Sequence, residues 1–170
     1  MRKLIYGMNL TLDGYIAAPG DDLGWSGPSD ELFQWWLDQE LAIGLLMYGR
    51  KLWEAMSSHW PTGDQQPDAT PAQIEFARNW RDTPKVVFSS TIDKVDWNTR
   101  LVTGDAVAEI TRLKAEDGEP MRVGGATLAA AALLALSGAA GGGAADSGGF
   151  GTVFLAAHVG LVLAAFAGFT

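Results

Sequence analysis

The stretch Met121-Arg122-Val123-Gly124-Gly125-Ala126-Thr127 limits the fold more than any other part of the chain. A short apolar strand, Met121 to Val123, runs through two glycines straight into an Ala/Leu helix. Paired glycines at such a turn let the backbone approach a ligand that a side chain would exclude. The helix that follows aims unpaired N–H groups at the turn, a position that suits anions. Taken alone, the segment reads more simply as a tight turn. Two further strand ends offer the same kind of chemistry, Tyr48-Gly49-Arg50-Lys51 and Phe88-Ser89-Ser90-Thr91. Three such ends imply one extended, multiply phosphorylated ligand.

Strands alternating with helices along the chain predict an α/β protein, a three-layer arrangement with a twisted, mostly parallel sheet between flanking helices. The expected strands are Lys3 to Asn9, Ile43 to Tyr48, Lys85 to Phe88, Arg100 to Val102 and Met121 to Val123. Between them, Ser29 is the expected N-cap of a helix carrying Phe33, Trp36, Leu37 and Leu41 at helical spacing. Helices are also expected over Arg50 to Ser57, over Pro71 to Trp80, and after Asp105, where Ala106, Ile110 and Leu113 face the core. Leu10 to Trp25 reads as a long, functional loop. His59 to Thr70, rich in Pro, Asp, Gln and Gly, reads as a surface excursion. Ligands of parallel sheets sit beyond the carboxyl ends of the strands, which is where all three candidate sites fall.

Composition narrows the chemistry. At 170 residues the chain suits one domain, 1–170. It has no cysteine, which excludes disulfides and thiolate chemistry, and its two histidines, His59 and His158, lie in no metal-ligand spacing. No metal site is expected. A net charge of −8 without a basic stripe argues against a nucleic-acid partner. The opening apolar run turns polar by Asn9 and Asp13, too short for a signal peptide, so a cytoplasmic protein is expected. Residues 1–122 carry 31 of the 32 Lys, Arg, Asp and Glu side chains, and only Asp146 follows. Phe150 to Phe169 is long and apolar enough to raise a membrane span. It has no flanking Lys or Arg and no Trp or Tyr belt, and Gly151, Gly160 and Gly168 interrupt it. Soluble β structure is expected there instead, with no membrane partner. The compositional break is read as an error in the written sequence after about Leu134, such as a frameshift leaves.

Each candidate site has a plainer use. Gly49 leaves room for a phosphate and Arg50 and Lys51 supply charge, or the three form a strand–helix turn with solvated cations. Ser89, Ser90 and Thr91 have three hydroxyls able to donate to a phosphate monoester, or they form a polar turn. Neither the Walker pattern nor G-x-G-x-x-G is present. Asp13 and Glu31 are the candidate proton donors, a role that needs shielding from water. Turn chemistry at Asp13-Gly14 and helix-dipole preference at Asp30-Glu31 account for them without any catalytic role.

Read together, four stretches resemble the dihydrofolate-reductase-like superfamily, and within it the branch of the riboflavin-biosynthesis reductase domain and its stand-alone bacterial relatives. They are Asn9-Leu10-Thr11-Leu12-Asp13-Gly14-Tyr15-Ile16-Ala17, Met47-Tyr48-Gly49-Arg50-Lys51-Leu52-Trp53-Glu54, Lys85-Val86-Val87-Phe88-Ser89-Ser90-Thr91 and Arg122-Val123-Gly124-Gly125-Ala126-Thr127-Leu128. They cover residues 1 to about 134 in the family's order. The resemblance implies NADPH bound across the strand ends, with Ile16 and Ala17 bordering the nicotinamide. Gly49, Arg50 and Lys51 would lie near the phosphates, and Ser89, Ser90 and Thr91 at the adenosine end. Gly124, Gly125, Ala126 and Thr127 would hold the pyrophosphate. It further implies a homodimer and a small-molecule substrate, a heterocycle or sugar derivative reduced at a C=N or C=O bond. In the tail, Gly148 to Phe154 echoes a family loop and Val159 to Leu163 a family strand. The rival expectation is a nucleotide-binding module without catalysis. A flavodoxin-like flavin binder is disfavoured, because the first strand leads into Leu10-Thr11-Leu12-Asp13-Gly14 and not into a Ser/Thr-rich phosphate loop.

Overall fold

Alternate strand residues are apolar on both sides, so the sheet must be covered on both faces. Leu4, Tyr6, Leu45, Met47, Val86, Phe88, Met121 and Val123 enter one core, while Leu46, Tyr48 and Val87 enter a second. The computed structural model describes residues 1–11, 13–20, 27–140 and 154–159. Within them run β1 (Leu4–Leu10), α1 (Asp30–Glu40), β2 (Leu45–Gly49), α2 (Arg50–His59), a 3-10 helix (Trp60–Gln65) and α3 (Pro71–Asp82). These are followed by β3 (Lys85–Phe88), β4 (Thr99–Val102), α4 (Ala106–Ala115), β5 (Met121–Gly124), α5 (Ala126–Ala140) and β6 (Phe154–Val159).

The strand order is β4-β3-β2-β5-β1-β6, and every pairing among the described residues is parallel. Helices α4 and α5 close the first core through Ile110, Leu113, Leu128, Ala129 and Ala132. The second core is closed by Leu37 of α1 and by Phe76 and Trp80 of α3, with Leu52, Trp53 and Met56 of α2 packed against it. This is the three-layer α/β architecture expected, with its mostly parallel sheet. No helix of the described residues is long and apolar enough to cross a membrane.

One segment differs from expectation in part. The surface excursion over residues 59–70 holds for 65–68 and Thr70, which are exposed, but Trp60–Gln65 forms a 3-10 helix that packs inward with Pro61 and Gly63 buried. The cause is a set of contacts invisible to local sequence. Trp60 stacks on Phe33 and Phe76 at centroid distances of 5.8 and 4.3 Å. Arg81 donates to both carboxylate oxygens of Asp64 at 2.7 and 2.8 Å and to the Pro61 carbonyl at 2.7 Å. Those hydrogen bonds hold the Asp64 carboxyl below its usual range. The described tail strand is Phe154–Val159, beside β1, and it includes Val159, the first residue of the anticipated Val159–Leu163 strand. Residues 148–153 and 160–163 lie outside the described residues.

Where α3 ends, its last carbonyls meet a buried cation. Lys85, only 2% exposed, donates from Nζ to the carbonyls of Thr83 at 2.7 Å and of Trp80, and lies 4.3 Å from the Trp80 ring centroid. Burial pulls the ammonium down to about 8, with Asp82 opposing the shift. The folded pKa therefore lies below the unfolded value of 10.5, so between these values the unfolded chain binds more protons. Stability should rise with pH across that window. Lys85→Met should lower stability by roughly 1–3 kcal/mol at pH 7, because it orphans buried carbonyls. It should also abolish the rise, so the gap between variant and wild type widens towards pH 10. Urea unfolding at pH 7 and pH 10 measures both effects.

Candidate functional site

A parallel sheet puts the carboxyl end of every strand, and the N-terminus of each helix that follows one, at the same edge. Gly49 stands opposite Phe88, and Tyr48 opposite Gly124, so the ends of β3, β2 and β5 are consecutive neighbours. The structure thereby brings Ser89-Ser90-Thr91, Gly49-Arg50-Lys51 and Gly124-Gly125-Ala126-Thr127 side by side. From β2 the chain departs over one face towards β3, and from β5 over the other face towards β6. These connections diverge from the β2–β5 junction, the arrangement that leaves a crevice at the strand ends.

Among the α-helices whose caps are described, capping sets α2 apart. Ser29 caps α1, Thr70 caps α3 in a reciprocal box with Gln73, and Asp105 caps α4 through the N–H groups of Val107 and Ala108. By contrast α2 starts at Gly49 with no side-chain cap. Its first N–H groups have no intrahelical acceptors, and neither do those of α5.

The three glycines at this junction are glycines for different reasons. A Cβ on Gly124 would lie 2.6 Å from Leu52 Cδ2 and 3.1 Å from the Tyr48 ring, so β5 and α2 need the missing side chain to pack. Gly125 has φ +93°, a left-handed conformation that a side chain strains, and its Cβ would meet nothing within 4 Å. Gly49 has φ −76° and ψ 162°, which any residue adopts, and its Cβ would also meet nothing within 4 Å. Neither strain nor packing demands a glycine at 49.

The polar groups around this edge are tied to one another. Arg50 Nη1 donates to both carboxylate oxygens of Glu54, at 3.1 and 2.9 Å. Ser89 Oγ accepts from the Thr91 N–H at 3.1 Å and lies 3.2 Å from Thr91 Oγ1, and Ser90 and Thr91 are exposed. Beyond β1, Thr11 organises a turn: its hydroxyl bonds Asp13 Oδ1 at 2.5 Å and accepts from the Tyr15 N–H at 2.8 Å. Asp13 and Ile16 are exposed there and Ala17 is half-buried. Glu31 is exposed in the first turn of α1. The structure does not bring Asp13 and Glu31 into a shielded pocket with each other, and Trp25 lies outside the described residues.

Beneath the crevice lies a group that sequence reasoning passed over. Arg122 of β5 donates to Glu40 Oε1 at 2.6 Å, with both side chains buried, and its guanidinium lies 4.4 Å from the Trp36 ring centroid. Trp36 Nε1 in turn donates to Asn9 Oδ1 at 3.2 Å, next to the carboxyl end of β1. Burial raises the Glu40 carboxyl and Arg122 pulls it back down, while Glu40 Oε2 is buried with no hydrogen-bond partner. Burial, reinforced by the Glu40 charge, also pushes the Tyr48 phenol up. The available signal was periodicity: Phe33, Trp36, Leu37 and Glu40 form one helical stripe, which puts Glu40 on the core face.

A cavity of about 600 Å³ opens at the opposite, amino-terminal edge of the sheet, lined by Arg2, Trp97, Asn98, Arg100 and Arg112 among others. Its cations are engaged: Arg100 and Arg112 bind Glu109, and Arg2 donates to the Glu119 carbonyl. We place the candidate site at the strand ends, where the orphan helix N–H groups are.

The fold is that of a layered, parallel α/β protein with its crevice between two diverging crossovers. More specifically, the chain belongs to the RibD C-terminal domain family, whose model matches residues 2–136. It is 26% identical over 129 residues to the uncharacterized protein YyaP of Bacillus subtilis strain 168, covering 75% of this chain. The match spans 65% of that relative's length. Among solved structures, a putative riboflavin biosynthesis protein from Shewanella sp. PV-4 aligns with TM-score 0.53 and 22% identity, over 75% of this chain and 67% of that one. Dihydrofolate reductase from Enterococcus faecalis, complexed with NADP(H) and RAB-propyl, aligns over 75% of this chain and 61% of that one, with TM-score 0.44 and 19% identity.

Gly124→Ala should destabilise the protein by about 1–3 kcal/mol through overpacking. Adding Leu52→Ala should recover part of that loss by vacating the space the new methyl needs. Chemical denaturation of the two single variants and the double variant measures the coupling.

Proposed function

We propose that the chain is an NADPH-dependent reductase that transfers hydride to a C=N or C=O bond of a small heterocyclic or sugar-derived substrate. Membership of the RibD C-terminal domain family supports reductase chemistry. The single observation that carries the cofactor reading is Gly49, where neither strain nor packing demands a glycine and a helix begins without a side-chain cap. A ligand occupying the space of the missing Cβ explains the residue. Orphan N–H groups on adjacent strand ends suit the anionic pyrophosphate.

In this reading Gly124, Gly125, Ala126 and Thr127 hold the pyrophosphate, and Gly49, Arg50 and Lys51 lie along the phosphates. Ser89, Ser90 and Thr91 take the adenosine end, where their hydroxyls donate to the 2′-phosphate. Ile16 and Ala17 border the nicotinamide. The cofactor, when bound, supplies the hydride. The chain's own residues orient the reacting groups, exclude water and provide a proton route, for which Asp13 and Glu31 are the candidate donors. The exposure of both acids favours one alternative, a nucleotide-binding module without catalysis.

Gly49→Val should fold, since its backbone is unstrained and its side chain meets open space, and it should lose about ten-fold or more in NADPH affinity. Unchanged affinity in a folded variant would remove the main support for the site. Calorimetric titration of wild type should show tighter binding of NADPH than NADH, and replacing Ser89 and Ser90 together with alanine should erode that preference. Equal affinity of the wild type for both would sink the 2′-phosphate assignment.

For catalysis, Asp13→Asn or Glu31→Gln should lower turnover of an accepted substrate while NADPH binding persists. Silence of both would point to water as the proton source. Failure to reduce any member of a panel of flat C=N and C=O substrates would favour the binding module.

A further inference from the structure

Arg50 is the first residue of α2, and its strand end adjoins that of Ser89, because Gly49 and Phe88 are register partners. The guanidinium is not left to solvent. Its Nη1 alone spans both oxygens of Glu54, one helical turn further on, with both side chains roughly two-fifths exposed. Among the described residues this carboxylate is the only acid paired with Arg50.

We propose that Glu54 is an internal competitor for Arg50, and that of the cofactor's phosphates it is the 2′-phosphate, a dianion arriving beside Ser89 at the Gly49–Ser89 strand ends, that draws the guanidinium off the carboxylate. The inference rests on the proposed reading of this edge as an NADPH site. Three physical points support it. An exposed i,i+4 ion pair is weak, so it holds Arg50 without locking it. Arginine binds phosphate through charge-assisted, bidentate hydrogen bonds, which are stronger than a single-nitrogen contact to a carboxylate. The Glu54 charge also lies within about a Debye length of the strand end at physiological salt, and there it opposes a second anion.

Glu54 would thus set how strongly the site favours a ligand with a phosphate on the adenosine ribose over one without. It acts through Arg50 and need touch no ligand, so it is a positioning and specificity residue.

Calorimetric titration of the full chain with NADPH and NADH, on wild type, Glu54→Gln, Arg50→Gln and the double variant, tests this. Gln keeps the size and helix propensity of Glu, and a thermal melt verifies that each variant folds. Glu54→Gln should tighten NADPH about two- to five-fold, the scale set by a surface pair, and leave NADH unchanged. The gain should shrink at high salt and vanish in the Arg50→Gln background.

A Glu54→Gln variant that binds NADPH no better, or less well, while wild type still prefers NADPH overturns the competitor and leaves the site reading intact. An equal gain for NADH, or a gain that survives Arg50→Gln, reduces the effect to bulk charge and likewise overturns the proposal. A wild type that does not distinguish NADPH from NADH defeats the site reading itself, and the competitor falls with it.

Discussion

The parallel pairing of β2 with both β3 and β5 is the constraint on which the rest of the molecule depends. Parallel strands cannot be joined by hairpins, so each must be followed by a crossover, and the crossovers bury both sheet faces. The same geometry gathers strand ends and helix starts at one edge. Ser89, Gly49 and Gly124 are 35 to 75 residues apart in sequence yet end adjacent strands. The diverging departures of α2 and α5 then open the crevice between them.

Under that crevice the electrostatics run against the usual rule for cores. Arg122 and Glu40 are buried together between β5 and α1, an arrangement whose desolvation cost offsets much of its Coulomb attraction. What the pair does specify is geometry. Gly7 leaves the space that the Arg122 guanidinium and Trp36 ring occupy, since a Cβ there would lie 3.1 Å from each. Through Trp36 and Asn9 the arrangement ties the last turn of α1, the middle of β5 and the end of β1 into one connected unit. The strand ends that form the candidate site are therefore held from below by polar contacts as well as by apolar packing.

At the crevice itself the division of labour among glycines matters more than their number. Gly124 serves packing and Gly125 serves backbone conformation, so their presence alone says nothing about a ligand. Gly49 serves neither, and it begins a helix that lacks a side-chain cap. The single glycine, and not the more conspicuous double one, is therefore the residue that a bound anion would explain.

Local sequence determined the elements and their alternation. The apolar runs at Lys85–Phe88 and Met121–Val123, the caps at Ser29 and Asp105, and the helical spacing of Phe33, Trp36 and Leu37 all describe interactions within a few residues. Such interactions are legible because the period of a strand or helix is written in the chain itself. The three strand-end motifs were legible for the same reason, and the parallel α/β class gathers them at one edge. Only the tertiary structure decided that residues 60–65 pack as a 3-10 helix, since Asp64 answers to Arg81 and Trp60 to Phe33 and Phe76. Only it paired Glu40 with Arg122, 82 residues away, and only it distinguished the glycine required by packing from the one required by φ and the one required by neither. A Cβ clash, a buried ion pair and an open space are properties of neighbours in three dimensions, and no local period encodes them.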